Sequence, residues 1–218
     1  MADAAGLLIL LAVAAASLVA LLTIALVRGM RHPHRRTVAY AVARNLPCDP
    51  EERGLMYEAW TLRRSGRGGG DVTLAVWEVQ GRGGADAAPL TAVFLHGWGQ
   101  SCLDTLRTIE PWPDLVARMV LYDLRGHGES GGPSRVGIGE EDDLAALLDE
   151  LGPGPFVLVG RSLGGGIASW LASERECGAL VLESTFTSVP DMGASIYPAF
   201  PVRLLARIHY DTRSRLPG

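Results

Sequence analysis

Four short apolar segments in the second half of the chain place the strongest constraint on its fold. They cover residues 91–95, 119–122, 156–159 and 179–182, and each is rich in aliphatic and β-branched residues. Their polarity does not alternate, so both faces of each strand are expected to be buried. Strands of this kind form parallel sheets that helices cover on both faces. The sequence therefore predicts an α/β fold with a mostly parallel sheet and flanking helices.

The clearest helix between these strands is predicted over residues 140–151. Its core-facing stripe at i, i+3, i+4 and i+7 consists of Leu144, Leu147, Leu148 and Leu151. Four acidic residues at 140–143 occupy its first turn, where negative charge suits the helix dipole. We interpret them as helix-start residues on a solvated face and not as metal ligands. Upstream, the runs 56–62 and 72–79 flank a Gly-rich turn and predict a β-hairpin.

An uncharged apolar segment covers residues 4–27 near the N-terminus. At about 1.5 Å per residue it is long enough to cross a hydrocarbon core of about 30 Å. We interpret it as a transmembrane helix; the alternatives are a signal peptide, which has a positive start and a shorter apolar region, and a buried core helix. Four arginines follow it: Arg28, Arg31, Arg35 and Arg36. By the positive-inside rule, the C-terminal side is expected to be cytoplasmic.

These features divide the chain into three expected parts and limit its partners. Residues 1–28 form a membrane anchor, residues 29–55 a basic juxtamembrane segment and connector, and residues 56–218 a partial α/β domain. A net charge of −4 provides no basic field for nucleic acid, so we expect no such partner. The three cysteines form no C-x-x-C pair and accompany no histidine cluster, which indicates free thiols. No motif implies a cofactor or a metal.

Ser162 lies in the sequence G-R-S-L-G at residues 160–164, between a predicted strand and a predicted helix. This context makes the G-x-S-x-G pattern informative, because the sharp reversal strains the middle residue and leaves room only for glycine beside it. The serine is then expected to be a nucleophile, with the Leu163 N–H and the helix dipole stabilising an oxyanion. A second backbone donor is expected from the loop at residues 96–101.

Four motifs occur in a fixed order: H-G-W-G-Q-S at 96–101, Y-D-L-R-G-H-G-E-S at 122–130, G-R-S-L-G-G at 160–165 and L-E-S-T-F-T-S at 182–188. Together they resemble the α/β-hydrolase superfamily, and are most similar to its membrane-anchored Bem46-like serine hydrolases, over residues 70–212. The resemblance implies that Ser162 is the nucleophile and that the backbone N–H groups of Leu163 and Trp98 are the oxyanion donors.

The resemblance also implies roles for residues near the site that are not catalytic. It gives His96 and His127 loop-positioning roles, makes Asp123 and Arg125 a loop-fastening pair, and places Glu183 at a strand end. A serine at the corner, where relatives that open epoxides or remove halides carry an aspartate, favours acyl transfer to water. We expect hydrolysis of an ester or thioester, on a small-molecule acyl ester or lipid-like substrate.

The triad order of the superfamily is serine, then an acid, then a histidine. The resemblance implies that the usual acid and histidine follow two further strands, whereas this sequence ends at residue 218. We therefore expect a truncated sheet that lacks the last two strands and both usual triad partners. Glu183 and His209 are the weaker candidates within the chain, because their order after Ser162 matches. The alternative hypothesis is a catalytically inactive hydrolase-like module that binds a lipid or a protein at the membrane.

Apolar residues after the last motif indicate a lid over the site. They are Ile196, Tyr197, Phe200, Leu204 and Leu205. An apolar lid suits a lipid-like acyl chain, and ordinary helix packing explains the same residues equally well.

Overall fold

The computed structural model describes residues 4–66, 70–83, 88–196 and 212–215. Its strands are β1 (Tyr57–Gly66), β2 (Gly70–Gln80), β3 (Ala88–Leu95), β4 (Val116–Tyr122), β5 (Phe156–Arg161) and β6 (Ala179–Glu183). They form one sheet in the order β1-β2-β4-β3-β5-β6. β1 and β2 are the predicted hairpin, and β2 also pairs antiparallel with β4, whereas β4, β3, β5 and β6 are mutually parallel. The mostly parallel α/β sheet is therefore confirmed.

Helices precede and connect these strands, and several of them cover the two faces of the sheet. They are α1 (Ala4–Arg31), α2 (Val38–Val42), α3 (Cys102–Arg107), α4 (Trp112–Leu115), α5 (Glu141–Leu151), α6 (Leu163–Glu174) and α7 (Val189–Ile196), with a further turn at Thr212–Arg215. Strand β3 shows why its sequence lacks alternation. Val93 and Leu95 pack in the core beneath α5 and α6, while Ala92 and Phe94 pack in the opposite core with α3. Both faces of the strand are buried, as its composition predicts.

Helix α5 confirms the leucine stripe but corrects the interpretation of its acidic start. Leu144, Leu147 and Leu148 are buried, yet Glu140 and Asp143 are buried as well. Asp143 accepts two hydrogen bonds from the Arg125 guanidinium, at 2.6 and 2.7 Å. A buried arginine requires a counter-charge, which explains why this carboxylate faces the core and not solvent.

Helix α1 has no buried residue, so it is not a core helix within the part of the chain that the structure describes. It is 28 residues long and apolar enough to cross a membrane. Its last turn does not lead into a free linker. Residues 30–38 lie across two loops that follow strands β3 and β4, at residues 96–101 and 123–140, which we call the rim loops.

Five contacts hold this juxtamembrane segment. They join Met30 to Trp98, Arg31 to Ser134, Arg35 to Gly132, Arg36 to Asp104 and Val38 to Glu129. The Trp98 indole N–H donates to the Met30 carbonyl at 2.9 Å, and the Ser134 N–H donates to the Arg31 carbonyl at 2.8 Å. The C-terminal end of α1 is therefore fixed beside the C-terminal ends of the parallel strands.

Candidate active site

Ser162 lies at a sharp corner between β5 and α6. Its φ of 51° and ψ of −115° are unusual for a residue with a side chain. Strain of this kind costs on the order of 1–3 kcal/mol and persists only where the surroundings enforce it. The sequence predicted this strained serine, and the structure shows it at the first position before the helix.

Two glycines make the corner possible. A Cβ added at Gly160 would lie 2.6 Å from the Gly164 carbonyl oxygen, and one added at Gly164 would lie 2.2 Å from the Leu95 carbonyl oxygen. Both distances are far below van der Waals contact with backbone atoms that cannot rotate away. Helix α6 can therefore approach β3 and β5 this closely only with glycine at both positions.

The end of β6 holds the corner from its other side. The Ser162 N–H donates to the Glu183 carbonyl at 3.0 Å, and the Thr185 hydroxyl donates to the Ser162 carbonyl at 2.9 Å. Glu183 ends β6, as the resemblance implied, and its side chain is exposed. Both polar backbone groups of Ser162 thus have partners, which fixes the orientation of its Cα–Cβ bond.

The first rim loop lies directly against Ser162. A Cβ at Gly97 would lie 3.2 Å from the Ser162 Cβ. The Gly97 N–H already donates to the Gln100 side-chain oxygen at 3.0 Å. In contrast, the N–H groups of Trp98 and Leu163 have no acceptor among the residues that the structure describes. Sequence reasoning gave Gln100 no role; a polar side chain three residues after a turn glycine is the signal that indicates one.

His96 is held in one tautomer by two hydrogen bonds. The Leu124 N–H donates to its Nε2 at 3.0 Å, so the proton is on Nδ1, which donates to the Gly97 carbonyl at 2.8 Å. Burial lowers the pKa of His96 to about 4. Both ring nitrogens are occupied, so His96 positions the rim loop and is not available as a general base.

His127 and Asp123 fasten the second rim loop. The His127 Nδ1–H donates to the Arg125 carbonyl at 3.0 Å, and burial lowers the pKa of His127 to about 4. Asp123 accepts the backbone N–H groups of Cys102 and Glu129 at 2.7 and 2.9 Å. Asp123 and Arg125 were expected to pair. Instead, Arg125 is bound to Asp143, and Asp123 is bound to the two backbone N–H groups.

The lowered pKa of His96 makes the stability of the protein depend on pH. A histidine that ionises with a pKa near 6.5 when unfolded and about 4 when folded stabilises the native state above pH 6.5. This stability is lost as the pH falls toward 4. Between about pH 7 and pH 5, we expect the free energy of unfolding of a His96→Asn variant to fall by about 2 kcal/mol less than that of the parent. Urea unfolding of the full chain in detergent micelles is the measurement.

Glu140 contributes a pH dependence of the opposite sign. Burial raises the pKa of Glu140 to about 7, although hydrogen bonds from the Arg135 and Gly137 amides lower it. A raised carboxyl pKa stabilises the native state at low pH, and this stabilisation is lost as the pH rises through 7. It acts equally in parent and variant. His32→Asn, at an exposed residue, is the control and should keep the parental pH dependence. Identical pH slopes for His96→Asn and the parent would contradict the assignment.

A small cavity with a mixed polar and apolar lining lies beside the corner. Its volume is about 30 Å³, and its lining near Ser162 includes His96, Gln100, Arg161 and Glu183. A space of this size holds about one water molecule and no acyl chain. Of the expected lid, Ile196 ends α7, whereas Tyr197, Phe200, Leu204 and Leu205 lie outside the described residues, as does the triad candidate His209.

Known proteins resemble this chain in sequence. An uncharacterized protein of Mycobacterium tuberculosis is 35% identical over 130 residues, which cover 57% of this chain and 40% of that protein. Protein bem46 of Schizosaccharomyces pombe is 27% identical over 78% of this chain and 60% of its own length. An uncharacterized membrane protein of Saccharomyces cerevisiae is 29% identical over 72% of this chain and 55% of its own. The chain spans about half the length of the curated relatives it matches.

Solved structures share the fold. An esterase of Pyrococcus furiosus superposes with a TM-score of 0.60 and 24% identity, over 75% of this chain and 61% of that one. An alpha-beta hydrolase of Vibrio vulnificus gives a TM-score of 0.55 at 22% identity, over 87% of this chain and 67% of that one. The family model described as the alpha/beta hydrolase fold matches residues 93–208, which run from the last three residues of β3 through β4, β5 and β6 and include the Ser162 corner. This chain is therefore a member of the α/β-hydrolase family and resembles its Bem46-like branch.

Proposed function

We propose that this chain carries the nucleophilic half of a serine hydrolase, which cleaves an ester or thioester through an acyl-enzyme on Ser162. The observation that supports it most is the arrangement of two backbone N–H groups. Those of Leu163 and Trp98 have no acceptor among the described residues, and the loop that carries Trp98 lies against the serine. Donors in a fixed backbone are suited to a developing oxyanion because they need no reorganisation.

The proposed reaction has two steps. The Ser162 Oγ attacks the acyl carbon, a general base takes its proton, and the carbonyl oxygen becomes an oxyanion between Leu163 and Trp98. The alcohol or thiol then leaves with that proton. Water attacks the acyl-enzyme in the second step, transfers its proton to the same base, and releases the acid and the free serine.

The general base is the open part of this proposal. His96 is excluded by its two hydrogen bonds, which occupy both ring nitrogens. Within this chain, the order Ser162, Glu183, His209 remains the candidate triad. Glu183 supports it by its place, since its backbone is bonded to Ser162 at the end of β6.

The proposed setting is a single-pass membrane protein with its hydrolase domain on the cytoplasmic side. Helix α1 is long and apolar enough for the span, and arginines cluster at its C-terminal end. A Saccharomyces cerevisiae relative is named a membrane protein. The substrate class proposed from the fold is a small-molecule acyl ester or a lipid-like one.

Labelling by a fluorophosphonate tests the nucleophile, because such a probe reacts only with an activated serine. We expect the full chain in detergent micelles to be labelled at Ser162, and Ser162→Ala to lose all labelling, as shown by mass spectrometry of the peptides. Ser173→Ala is the matched control, since Ser173 is an exposed serine on the same helix α6. Loss of label in His209→Ala alone would identify the base.

A folded protein that no probe labels would contradict a general base within this chain, and with it the candidate triad of Ser162, Glu183 and His209. It would favour the alternative, a hydrolase-like module that binds a lipid or a protein at the membrane. Circular dichroism with the parental helix content is the measure of folding in that comparison.

A further inference from the structure

The juxtamembrane segment touches the same two loops that surround Ser162. The first rim loop carries Gly97 against the serine and Trp98 against the end of α1. The second rim loop binds the Arg31 carbonyl through Ser134. The membrane anchor and the reactive corner therefore share one edge of the sheet, although nothing in an anchor requires it to end there.

The position of Trp98 relative to a bilayer follows from helix geometry. The uncharged segment of α1 ends at Val27, and Met30, which accepts the Trp98 indole N–H, is three residues farther. At 1.5 Å per residue, this is about 4.5 Å beyond the apolar end. The headgroup layer on each side of a bilayer is roughly 5–7 Å thick, so the indole lies within it. Tryptophan is enriched at this depth, and this indole is 47% exposed.

The rest of this edge has the chemistry of an interfacial surface. Ile138, on the second rim loop, is 52% exposed, four residues after the one that binds the anchor. Arg28 and Arg31 lie in the last turn of α1, and cations at this depth are attracted by anionic headgroups. Exposed apolar side chains beside a basic helix end match a lipid surface better than bulk water.

We propose that the rim loops lie in the headgroup layer and that Ser162 takes its acyl ester from the bilayer itself. Gly97 lies against Ser162, and Trp98 is the next residue in the chain. Because adjacent Cα atoms are about 3.8 Å apart, the backbone of the membrane-facing Trp98 is only one residue away from the contact with the serine. The substrate is an ester whose acyl chain stays among the lipids while its carbonyl reaches the corner. This inference rests on the proposed function for its chemistry but not for its surface.

Fluorescence tests the surface independently of activity. The full chain is reconstituted into phosphatidylcholine vesicles that contain a phospholipid with a nitroxide on its headgroup, which quenches nearby indoles. We expect part of the tryptophan emission to be quenched and this part to be absent in Trp98→Phe. Equal quenching of the parent and Trp98→Phe would overturn the proposed surface.

Hydrolysis tests the substrate class. We compare a water-soluble nitrophenyl ester of acetate with a nitrophenyl ester of a long acyl chain incorporated in the vesicles. Ile138→Ser should lower the rate on the vesicle-borne ester roughly tenfold and leave the rate on the soluble ester unchanged. Leu115→Ser is the matched control and should change neither rate. Leu115 is about as exposed as Ile138 but lies at the opposite end of the strands, just before β4 begins.

The outcomes separate the two proposals. Equal effects of Ile138→Ser on both esters, or none on either, would overturn the bilayer as the source of the substrate. No turnover of either ester together with Trp98 quenching would overturn the proposed function and support the surface. Turnover without Trp98 quenching would support the function and overturn the surface.

Discussion

A Gly164→Ala substitution is expected to destabilise the protein by more than about 4 kcal/mol or to prevent folding. The new Cβ would lie 2.2 Å from the Leu95 carbonyl oxygen and 2.6 Å from its carbonyl carbon. Leu95 pairs with Tyr122 on one side and Gly160 on the other, so its backbone is held by two neighbouring strands. A contact with fixed backbone cannot be relieved by a change of rotamer, and helix α6 would have to move away from the sheet.

The control for this prediction is Gly154→Ala. Its added Cβ would approach only the Phe156 ring, at 3.5 Å or more, which is ordinary contact. We expect an effect within about 0.5 kcal/mol. Thermal unfolding of both variants in detergent micelles, followed by circular dichroism, is the measurement. A melting temperature for Gly164→Ala within about 2 °C of the parent would show that the close approach of α6 to β3 is wrong.

Replacing Asp143 with asparagine is expected to destabilise the protein by about 3–5 kcal/mol, the second large effect. The substitution keeps the size of the side chain but removes the charge that faces Arg125. Arg125 is 5% exposed, and its guanidinium makes two short hydrogen bonds to this carboxylate. Its charge would then be buried without a counter-charge, and the Arg64 guanidinium, 3.6 Å from Asp143, would lose the same partner.

Asp142→Asn provides a control in the same turn of α5. It removes an equal charge from the helix start, but its side chain is exposed, so only the dipole interaction of less than about 1 kcal/mol is lost. Urea unfolding of both variants compares them directly. Equal destabilisation by Asp142→Asn and Asp143→Asn would mean that the charge acts on the helix dipole and not on Arg125.

The sheet and the strained corner at Ser162 could be predicted because local sequence carries their signals. Strand β3 is apolar at every position that the two cores bury, and the glycines at 160 and 164 mark a close approach that only glycine permits. These features depend on residue type at fixed spacing. A pattern of that kind is visible without knowledge of distant contacts.

The partner of Arg125 could not be predicted in the same way. Asp123 is only two residues away, whereas Asp143 is 18 residues away in a different element. The family resemblance implied the first, but Asp123 already accepts two backbone N–H groups from its own surroundings. Which of two carboxylates meets a buried arginine is decided by the path of the chain. The acidic start of α5 was assigned to solvent for the same reason.

The contacts of the juxtamembrane segment left no trace in the sequence, since the carbonyls of Met30 and Arg31 are the acceptors. Every residue has such a carbonyl, so no residue type marks the site. Arg36 and Asp104 form an ion pair there, but they are 68 residues apart.

The fixed path of residues 30–38 also limits how far the folded domain can move relative to helix α1. A flexible linker of this length would let its ends move apart by about 15–18 Å and leave a tethered domain free to tumble. Here Val38 is bonded to Glu129 and Met30 to Trp98, so the two ends of the segment are held to one body. On the proposal that the rim loops lie in the headgroup layer, the domain turns and diffuses together with helix α1. Encounters at the Ser162 corner would then be a two-dimensional search along the bilayer, and their rate would depend on the local density of ligand in the membrane, not on its concentration in solution.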